Sequence, residues 1–438
     1  MNSLISTIFM DPIRVIENTS LISQKGKIEN VYGMTVESRG PNVKIGEICR
    51  IISGKKSYLA EVVGFKDNLN QLMCFNDFSG ISPGCEVISE RANFNIPFSD
   101  QFVGRVINGI GQPIDDKGGL IAEEFLPIGT DPINPMKRVR VDEPLCTGIK
   151  AIDATATIGK GQRVGIFSGT GVGKSVLLGM IAKSSTADIN VIGLIGERGR
   201  EVKEFVENIL GPEGLKRSIV VAVTSDESPL MRVKGAFLIT AIAEYFRGRG
   251  NDVMLLMDSI TRFARALREI GLAVGEPPTV KGYPPSIFSI LPKILERPGK
   301  TEDGSITGIY TVLVEEDDLN NPIEDEVRAI LDGHIILDRN LANINHYPAI
   351  DILGSISRVM RGIISEEHKE LYEKIIETYS IYKETEDLIT LGAYAKGTNK
   401  KIDYAIENID RINHFFKQDI SESFSLEETI DKLKKVLK

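Results

Sequence analysis

The sequence predicts an α/β protein: a parallel sheet covered by helices, preceded by a small β-barrel and followed by a helical domain. From about residue 145 to 355, apolar runs such as RVGIFSG, NVIGLIGE and VMLLMD alternate with helical patterns. Strands that are apolar throughout and separated by helices are typical of a parallel sheet buried on both faces. From about Lys25 to Glu90, short β-like runs are broken by turn clusters such as RGPN and KDNLN. After Arg358, apolar positions three and four apart indicate helices.

These patterns divide the chain into four parts. We expect a barrel at 25–95, the α/β core at 96–358 and the helical domain at 359–438. The segment 103–119 is dense in Gly, Pro and Asp, so it is predicted to form turns and a connection between domains. Residues 1–24 are either a short amphipathic segment that docks on a partner or a flexible terminus.

Composition excludes several classes of protein. The net charge of -9 and pI near 5.3 give no overall basic footprint, so no nucleic-acid partner is expected. No apolar run is long enough to cross a bilayer, and the first residues do not resemble a signal peptide, so a cytoplasmic location is expected. The 4 cysteines are scattered without a CxxC pair and are expected to be reduced thiols. The 4 histidines are not at metal-ligand spacing and are expected to be packed or on the surface.

The stretch SGTGVGKS at 168–175 is predicted to bind polyphosphate. Glycines in such a loop let backbone N–H groups face phosphate oxygens, and the following helix adds the positive end of its dipole. Lys174 is expected to reach the β- and γ-phosphates, and the Ser175 hydroxyl to ligate Mg²⁺. The usual pattern begins with glycine where this chain has Ser168, and the alternative is a chance Gly-rich turn. The predicted nucleotide contacts are Gly169, Thr170, Gly171, Val172, Gly173, Lys174, Ser175 and Val176.

Two acidic residues follow apolar strands and are expected at the carboxyl edge of the sheet. Asp258 ends VMLLMD, as expected of a carboxylate that joins the Mg²⁺ shell. The alternative is a buried strand that ends in Asp without a functional role. Glu197 follows NVIGLI and is the candidate that orients water in line with the γ-phosphate. The alternative for Glu197 is a solvated charged turn.

Several motifs in the right order resemble the catalytic family of rotary ATP synthases and type III secretion ATPases. They are EPLCTGIKAIDA, IGKGQR, the phosphate loop, GERGRE, VMLLMDSITRFARALREI, GYPPSIFSILPKILERPG and HYPAIDILGSISR. The match runs from about residue 25 to 418. The resemblance implies a RecA-like P-loop ATPase core that hydrolyses ATP with Mg²⁺ in a homohexameric ring.

Within this family the chain is most similar to the flagellar protein export branch. The end of the chain, LGAYAKGTNKKIDYAIENIDRINHFFKQ, resembles the secretion ATPases, and DDLNNPIEDEVRAILDGHIILDR resembles their flagellar members. Glu316 departs from the glycine that relatives commonly carry and puts a local turn in doubt. The branch implies release and unfolding of chaperone-bound substrates at a membrane export gate, with the ring peripheral at the cytoplasmic face of the membrane. Its implied partners are a stator protein at the N-terminus, a central stalk in the pore and the gate proteins.

The resemblance also assigns roles to residues. Glu197 would polarise the attacking water, and Arg198 and Arg262 match arginines close to the phosphates. Tyr347 matches the aromatic that stacks on adenine, with core packing as the alternative. Arg358 matches the arginine finger that reaches the neighbouring subunit's nucleotide, with an ordinary surface arginine as the alternative.

Other functions stay open at this point. A virulence secretion ATPase has the same chemistry with different substrates. A noncatalytic nucleotide-binding ring subunit is disfavoured by Glu197, and an RNA helicase ring by the acidic charge balance. The stretch GYPPSIFSILPKILERPG is either a packed helix or a loop that faces the ring's pore.

Overall fold

The computed structural model describes residues 24–314 and 321–437. The predicted docking segment, except for its last residue, and Glu316 therefore lie outside the described residues. The contacts divide the chain into two compact units. One unit runs to Asn95 and includes Ala273–Gly275, and the other holds Ile96–Leu272 and the chain from Glu276 onward.

The first unit is a closed six-stranded barrel, which confirms the predicted small barrel. The strands follow the order β1-β2-β5-β4-β3-β6. Its core is built from alternating apolar side chains, including Val36, Ile51 and Leu72, because successive residues of a strand point to opposite faces. The strands are β1 Lys25–Tyr32, β2 Thr35–Arg39, β3 Glu47–Ser53, β4 Lys56–Lys66, β5 Leu69–Cys74 and β6 Glu86–Asn93.

The second unit is built on a largely parallel sheet, and the predicted α/β core is confirmed. The order is β19-β18-β12-β17-β15-β13-β14-β8, with the short β16 paired to β17. β19 and β16 are antiparallel to their neighbours. The strands of this sheet are β8 Val106–Ile107, β12 Arg163–Ser168, β13 Ile189–Glu197, β14 Ser218–Thr224, β15 Asp252–Asp258, β16 Gly299–Lys300, β17 Ser305–Leu313, β18 Gly333–Leu337 and β19 Ile350–Ser357. The remaining strands form two small pairs: β7 Asn95–Phe98 with β9 Glu124–Pro127, and β10 Pro144–Leu145 with β11 Ile158–Gly159.

The segment 103–119 corrects one prediction. The sequence predicts only turns and a connection there, but β8 pairs in parallel with β14 at the edge of the sheet. Both β8 residues are buried, and the backbone N–H of Val106 donates to the Asp115 carboxylate. A two-residue strand carries too few residues for an apolar pattern to stand out among the surrounding Gly and Asp.

Helices cover the sheet of the second unit. They are α1 Lys150–Thr155, α2 Lys174–Ser184, α3 Gly199–Glu204, α4 Gly211–Leu215, α5 Pro229–Arg247, α6 Ile260–Ala273, α7 Pro285–Leu295, α8 Pro322–Ile330, α9 Arg339–Asn343, α10 Met360–Ile363, α11 Glu366–Thr390, α12 Lys400–Phe416 and α13 Leu426–Val436. The stretch that the sequence left open is a packed helix, because α7 buries Ile287, Leu291 and Ile294. Among the described residues, no helix combines the length and the apolar character needed to cross a bilayer.

The C-terminal helices share the hydrophobic core of the sheet. Ile375 on α11, Ile412 and Phe416 on α12 and Leu433 on α13 belong to the same buried cluster as Val164 of β12. The predicted helical C-terminal region is confirmed. The contacts place it in one unit with the core, and the division of this unit at residue 358 stays a prediction.

Candidate active site

The phosphate loop lies between the end of β12 and the start of α2. Gly171 and Gly173 have φ angles of 79° and 91°, in the left-handed region that side chains disfavour. Gly173 immediately precedes α2 and brings no side chain that could cap the helix. The N–H groups of the first turn are therefore left for an anion, as at other phosphate-binding helix ends.

Lys174 and Asp258 meet at this edge of the sheet. The Lys174 Nζ lies 2.6 Å from Asp258 Oδ1, and the Thr311 hydroxyl donates to the same oxygen at 2.7 Å. Asp258 is buried at the end of β15, so the lysine neutralises a carboxylate that water does not solvate. Ser175 lies in the first turn of α2 and is exposed.

The donor set suits Mg²⁺ held partly by substrate. The Ser175 hydroxyl and the Asp258 carboxylate are hard oxygen donors of the kind that Mg²⁺ prefers. Within residues 24–314 and 321–437 there is no group of three or more His, Cys, Asp or Glu side chains that could hold a metal ion. Two protein oxygen donors are compatible with Mg²⁺, which commonly keeps several waters and takes further ligands from substrate phosphates.

Glu197 lies at the same edge, at the end of β13. The pairing of β13 with β14 shifts register between Ile195 and Glu197, a bulge that changes the direction of the side chain. Glu197 is 7 % exposed, and its Oε1 lies 3.0 Å from Arg262 Nε. Burial, followed by the nearby charge of Asp258, raises the pKa of Glu197 from 4.5 to about 7, against the opposing charges of Lys174 and Arg262. The alternative of a solvated turn is wrong for this residue.

The two arginines expected near the phosphates occupy different surroundings. Arg262, in the first turn of α6, contacts Glu197 at this edge of the sheet. Arg198 follows Glu197 directly, yet its side chain is 74 % exposed and pairs with Glu201 at 3.2 Å. The structure therefore brings Arg262, and not Arg198, to the Glu197 carboxylate.

Tyr347 borders a cavity of about 620 Å³ beside the loop. The volume lies within the ~300–1,000 Å³ range of small-molecule sites. Gly171, Gly173 and Val176 also line it, and Tyr347 is 40 % exposed, so the core-packing alternative is wrong. An open aromatic face beside a phosphate loop fits a stacked base.

The sequence did not predict the part of the cavity lining that comes from the C-terminal region. This part comes from the end of α12 and the turn after it: His414, Lys417, Gln418, Asp419, Ile420 and Glu422. The backbone N–H of Gln418 donates to the Tyr347 carbonyl at 2.9 Å, and its Nε2 donates to the Gly148 carbonyl at 2.7 Å. No local pattern marks these residues, because about seventy positions separate them from Tyr347.

Arg358 immediately follows β19. It lies at the amino ends of the parallel strands, opposite the carboxyl edge that carries the loop. Its backbone N–H donates to the Asp332 carbonyl at 2.9 Å, and the Asp332 N–H donates to the carbonyl of Arg163, the first residue of β12. The last residue of β12, Ser168, lies five residues further on, which is about 17 Å at ~3.3 Å per residue, and the loop follows it. The Arg358 side chain borders a cleft of about 450 Å³ that Arg140 also lines. Arg358 is therefore too far away to reach its own loop.

The sheet and the groups at its carboxyl edge define a P-loop ATPase. Three family models match consecutive parts of the chain: the ATP synthase alpha/beta family β-barrel domain over residues 28–90, the nucleotide-binding domain of that family over 148–357, and the C-terminal domain of the type III secretion ATPase EscN over 364–435.

Similar proteins match over nearly their whole length. The flagellum-specific ATP synthase of Bacillus subtilis is 50% identical over 423 residues, covering 95% of this chain and 96% of the relative. The type 3 secretion system ATPase of Xanthomonas euvesicatoria is 46% identical, covering 94% and 93%. The structure of the assembled ATPase EscN of enteropathogenic E. coli superposes with a TM-score of 0.90 at 44% sequence identity. The superposition covers 94% of this chain and 100% of the EscN chain.

The chain therefore belongs to the ATP synthase alpha/beta family, in the branch of the flagellum-specific and type III secretion ATPases. It is an ATPase, and the family resemblance drawn from the sequence motifs is confirmed.

Proposed function

We propose that the chain is a Mg²⁺-dependent ATPase that works as a homohexameric ring and energises flagellar type III protein export. The observation that carries the ring is the position of Arg358. It lies a strand length from its own loop, beside an open cleft, so a second copy is needed to complete each site. An arginine supplied by a neighbour is worth roughly a thousandfold or more in rate, because it neutralises charge on the transferring phosphoryl group.

In the proposed site the loop amides and Lys174 hold the phosphates, and the Ser175 hydroxyl and Asp258 hold Mg²⁺. When bound, Mg²⁺ neutralises charge that develops on the β- and γ-phosphates. Lys174 also pairs with Asp258, so it neutralises the buried carboxylate.

Glu197 is the proposed catalytic carboxylate. In its ionised form it accepts a hydrogen bond from the attacking water and orients that water toward the γ-phosphate. Arg262 holds the carboxylate in place, because its Nη2 donates to Oε2 at 3.2 Å and its Nε lies 3.0 Å from Oε1. Tyr347 stacks on the adenine in the cavity beside the loop, and Arg358 reaches the nucleotide of the next subunit. Arg198 stays a candidate for phosphate contact that requires rotation of an exposed side chain.

The relatives favour flagellar export. Three of those most similar to this chain, at 50%, 48% and 48% identity, are flagellum-specific ATP synthases, whereas the type 3 secretion system ATPase of Xanthomonas is 46% identical. The virulence secretion ATPase is the second candidate. The enzyme would release and unfold chaperone-bound substrates at the export gate, on the cytoplasmic face of the membrane.

Two protein partners beyond the gate complete the proposal. EscN in complex with its central stalk EscO superposes with a TM-score of 0.88, which supports a stalk protein in the pore of this ring. The N-terminal segment 1–24 would dock on a stator protein. No nucleic-acid partner is proposed, because the chain is acidic overall.

The test of the ring mechanism is ATPase rate against protein concentration for four samples: wild type, Glu197→Gln, Arg358→Ala and an equal mixture of the two variants. We expect specific activity to rise steeply with concentration. We also expect the mixture to recover activity that neither variant has, because Arg358→Ala subunits offer an intact site beside an intact arginine of Glu197→Gln subunits. Normal hydrolysis by Glu197→Gln would favour a noncatalytic ring subunit.

The export branch is tested in cells. The gene should restore motility to a strain that lacks its flagellar export ATPase and should not restore virulence secretion to a strain that lacks that system's ATPase. The reverse pattern would favour the virulence secretion ATPase.

A further inference from the structure

We infer that Gln162 is a positioning residue that sets Arg358 for the neighbouring subunit's site. The inference rests on the proposed function, since it needs Arg358 to act in the next subunit. Gln162 immediately precedes β12, the strand that carries the phosphate loop at its other end, and its side chain is fully buried. In the sequence it is marked only by its place in IGKGQR.

The polar atoms of the Gln162 amide have partners. The Oε1 accepts from the Gly159 N–H at 2.9 Å. The Nε2 donates to the Asp332 carbonyl and to the Ser357 hydroxyl oxygen, both at 3.0 Å. A buried amide with all its hydrogen bonds satisfied is rigid, because any rotation leaves polar groups unpaired in a dry environment.

These bonds fix the backbone from which Arg358 projects. Ser357 is the residue before Arg358, and the Asp332 carbonyl that accepts from Gln162 also accepts the Arg358 N–H at 2.9 Å. The strands are tightly packed at this point: a Cβ at Gly333 would lie 2.5 Å from the Ile356 carbonyl oxygen and 3.2 Å from Gln162 Nε2.

The Arg358 guanidinium makes no polar contact with the residues of its own chain that the structure describes. The side chain borders an open cleft. The direction of the side chain is therefore set by its backbone alone. A displacement of about 1 Å at a group that contacts the transition state can lower a rate by roughly a hundredfold. Gln162 fixes this backbone. It does so from the start of β12, the strand that leads to the phosphate loop of the same chain.

The test is the variant Gln162→Met, which has a similar volume and removes the amide. We expect kcat to fall between about tenfold and a hundredfold with little change in KM for ATP, because the arginine acts on the transition state of the next subunit. The matched control is Asn190→Leu. Asn190 is also a fully buried amide at the start of a core strand, and its Nδ2 donates to the Ala182 carbonyl at 2.8 Å and to the Ser218 hydroxyl at 3.3 Å.

Mixtures of variants separate positioning from general damage. Mixed with Glu197→Gln, Gln162→Met should recover to about a quarter of wild-type activity, because random assembly places an intact site beside an intact arginine at one interface in four. Mixed with Arg358→Ala it should gain no activity over Gln162→Met alone, since neither subunit then supplies a correctly positioned arginine. If Gln162→Met does not fold, Ser357→Ala removes one of the same bonds and should show the same pattern with a smaller fall in kcat.

Three results would overturn the inference. They are a wild-type kcat for Gln162→Met, recovery with Arg358→Ala instead of Glu197→Gln, and the same complementation pattern for Asn190→Leu. The mixture of Glu197→Gln with Arg358→Ala is measured first. If that mixture stays inactive, the shared site of the proposed function is wrong and the inference falls with it. If it recovers and Gln162→Met fails its own test, only the role of Gln162 is wrong.

Discussion

Replacing Glu197 by Gln should stabilise the nucleotide-free chain at high pH while it abolishes hydrolysis. The pKa of this buried carboxyl is raised from 4.5 to about 7, first because burial disfavours the charged form. A raised pKa means that the folded chain binds the proton more tightly than the unfolded chain does. The stability contributed by the protonated group is complete below about pH 4.5 and is lost as the pH rises through 7.

The size of the effect follows from the two pKa values. A difference of about 2.5 at roughly 1.4 kcal/mol per pH unit gives about 3 kcal/mol. Glutamine has nearly the shape of a protonated glutamic acid and cannot ionise. At pH 8 we therefore expect Glu197→Gln to raise the free energy of unfolding by up to about 3 kcal/mol, and at pH 5 to change it little.

The assay is urea unfolding of the nucleotide-free protein at both pH values. It should be followed by circular dichroism, because the sequence contains no Trp whose fluorescence could report unfolding. The control is Glu207→Gln, which replaces an exposed glutamate and should change the free energy of unfolding little at either pH. If Glu197→Gln destabilises the chain at pH 8, the ion pair with Arg262 outweighs the cost of burial and the reasoning is refuted. An equal gain at both pH values would also refute it.

Three further predictions concern the same edge of the sheet. Because Glu197 must be ionised to orient water, kcat/KM for ATP should rise with pH and level off above about pH 7, and a flat profile would contradict its role. Lys174→Met should lower the free energy of unfolding by about 3 kcal/mol, because it leaves Asp258 charged and unpaired. Adding Asp258→Asn should restore much of that loss, and additive losses in the double variant would contradict the pairing. Tyr347→Ala should raise KM for ATP roughly tenfold with little change in kcat, whereas Tyr347→Phe should keep KM, as steady-state kinetics can check.

The carboxyl edge of the sheet could be predicted because its rules are local. A strand that is buried on both faces shows as an uninterrupted apolar run, and the residue after it emerges at the same edge as its parallel neighbours. These rules alone predict that Glu197 and Asp258 lie near the loop, and the structure puts Lys174 Nζ 2.6 Å from Asp258 Oδ1. The chemical roles of these residues stay predictions that the kinetics above address.

Other features could not be predicted because they depend on distant or very short segments. The two-residue strand β8 has no readable period, and its partner β14 lies about 110 positions further along the chain. The wall formed by Gln418 and its neighbours reaches the cavity only because the C-terminal helices pack into the shared core. Arg198 is a different case. The family resemblance places it close to the phosphates, but its side chain is exposed and pairs with Glu201.

The bonds of Gln418 tie the shape of the cavity beside the loop, the proposed nucleotide site, to the position of the C-terminal helices. The Gln418 N–H donates to the Tyr347 carbonyl, its Nε2 donates to the Gly148 carbonyl, and its Oε1 accepts from the Lys150 N–H. The helices cannot move away from the sheet without opening the cavity beside the loop. Linkage between two binding sites is reciprocal. If a protein bends these helices when it binds and thereby changes the affinity for ATP, then ATP changes the affinity for that protein by the same factor. A partner bound at the end of the chain would therefore bind with a different affinity when nucleotide occupies the proposed site.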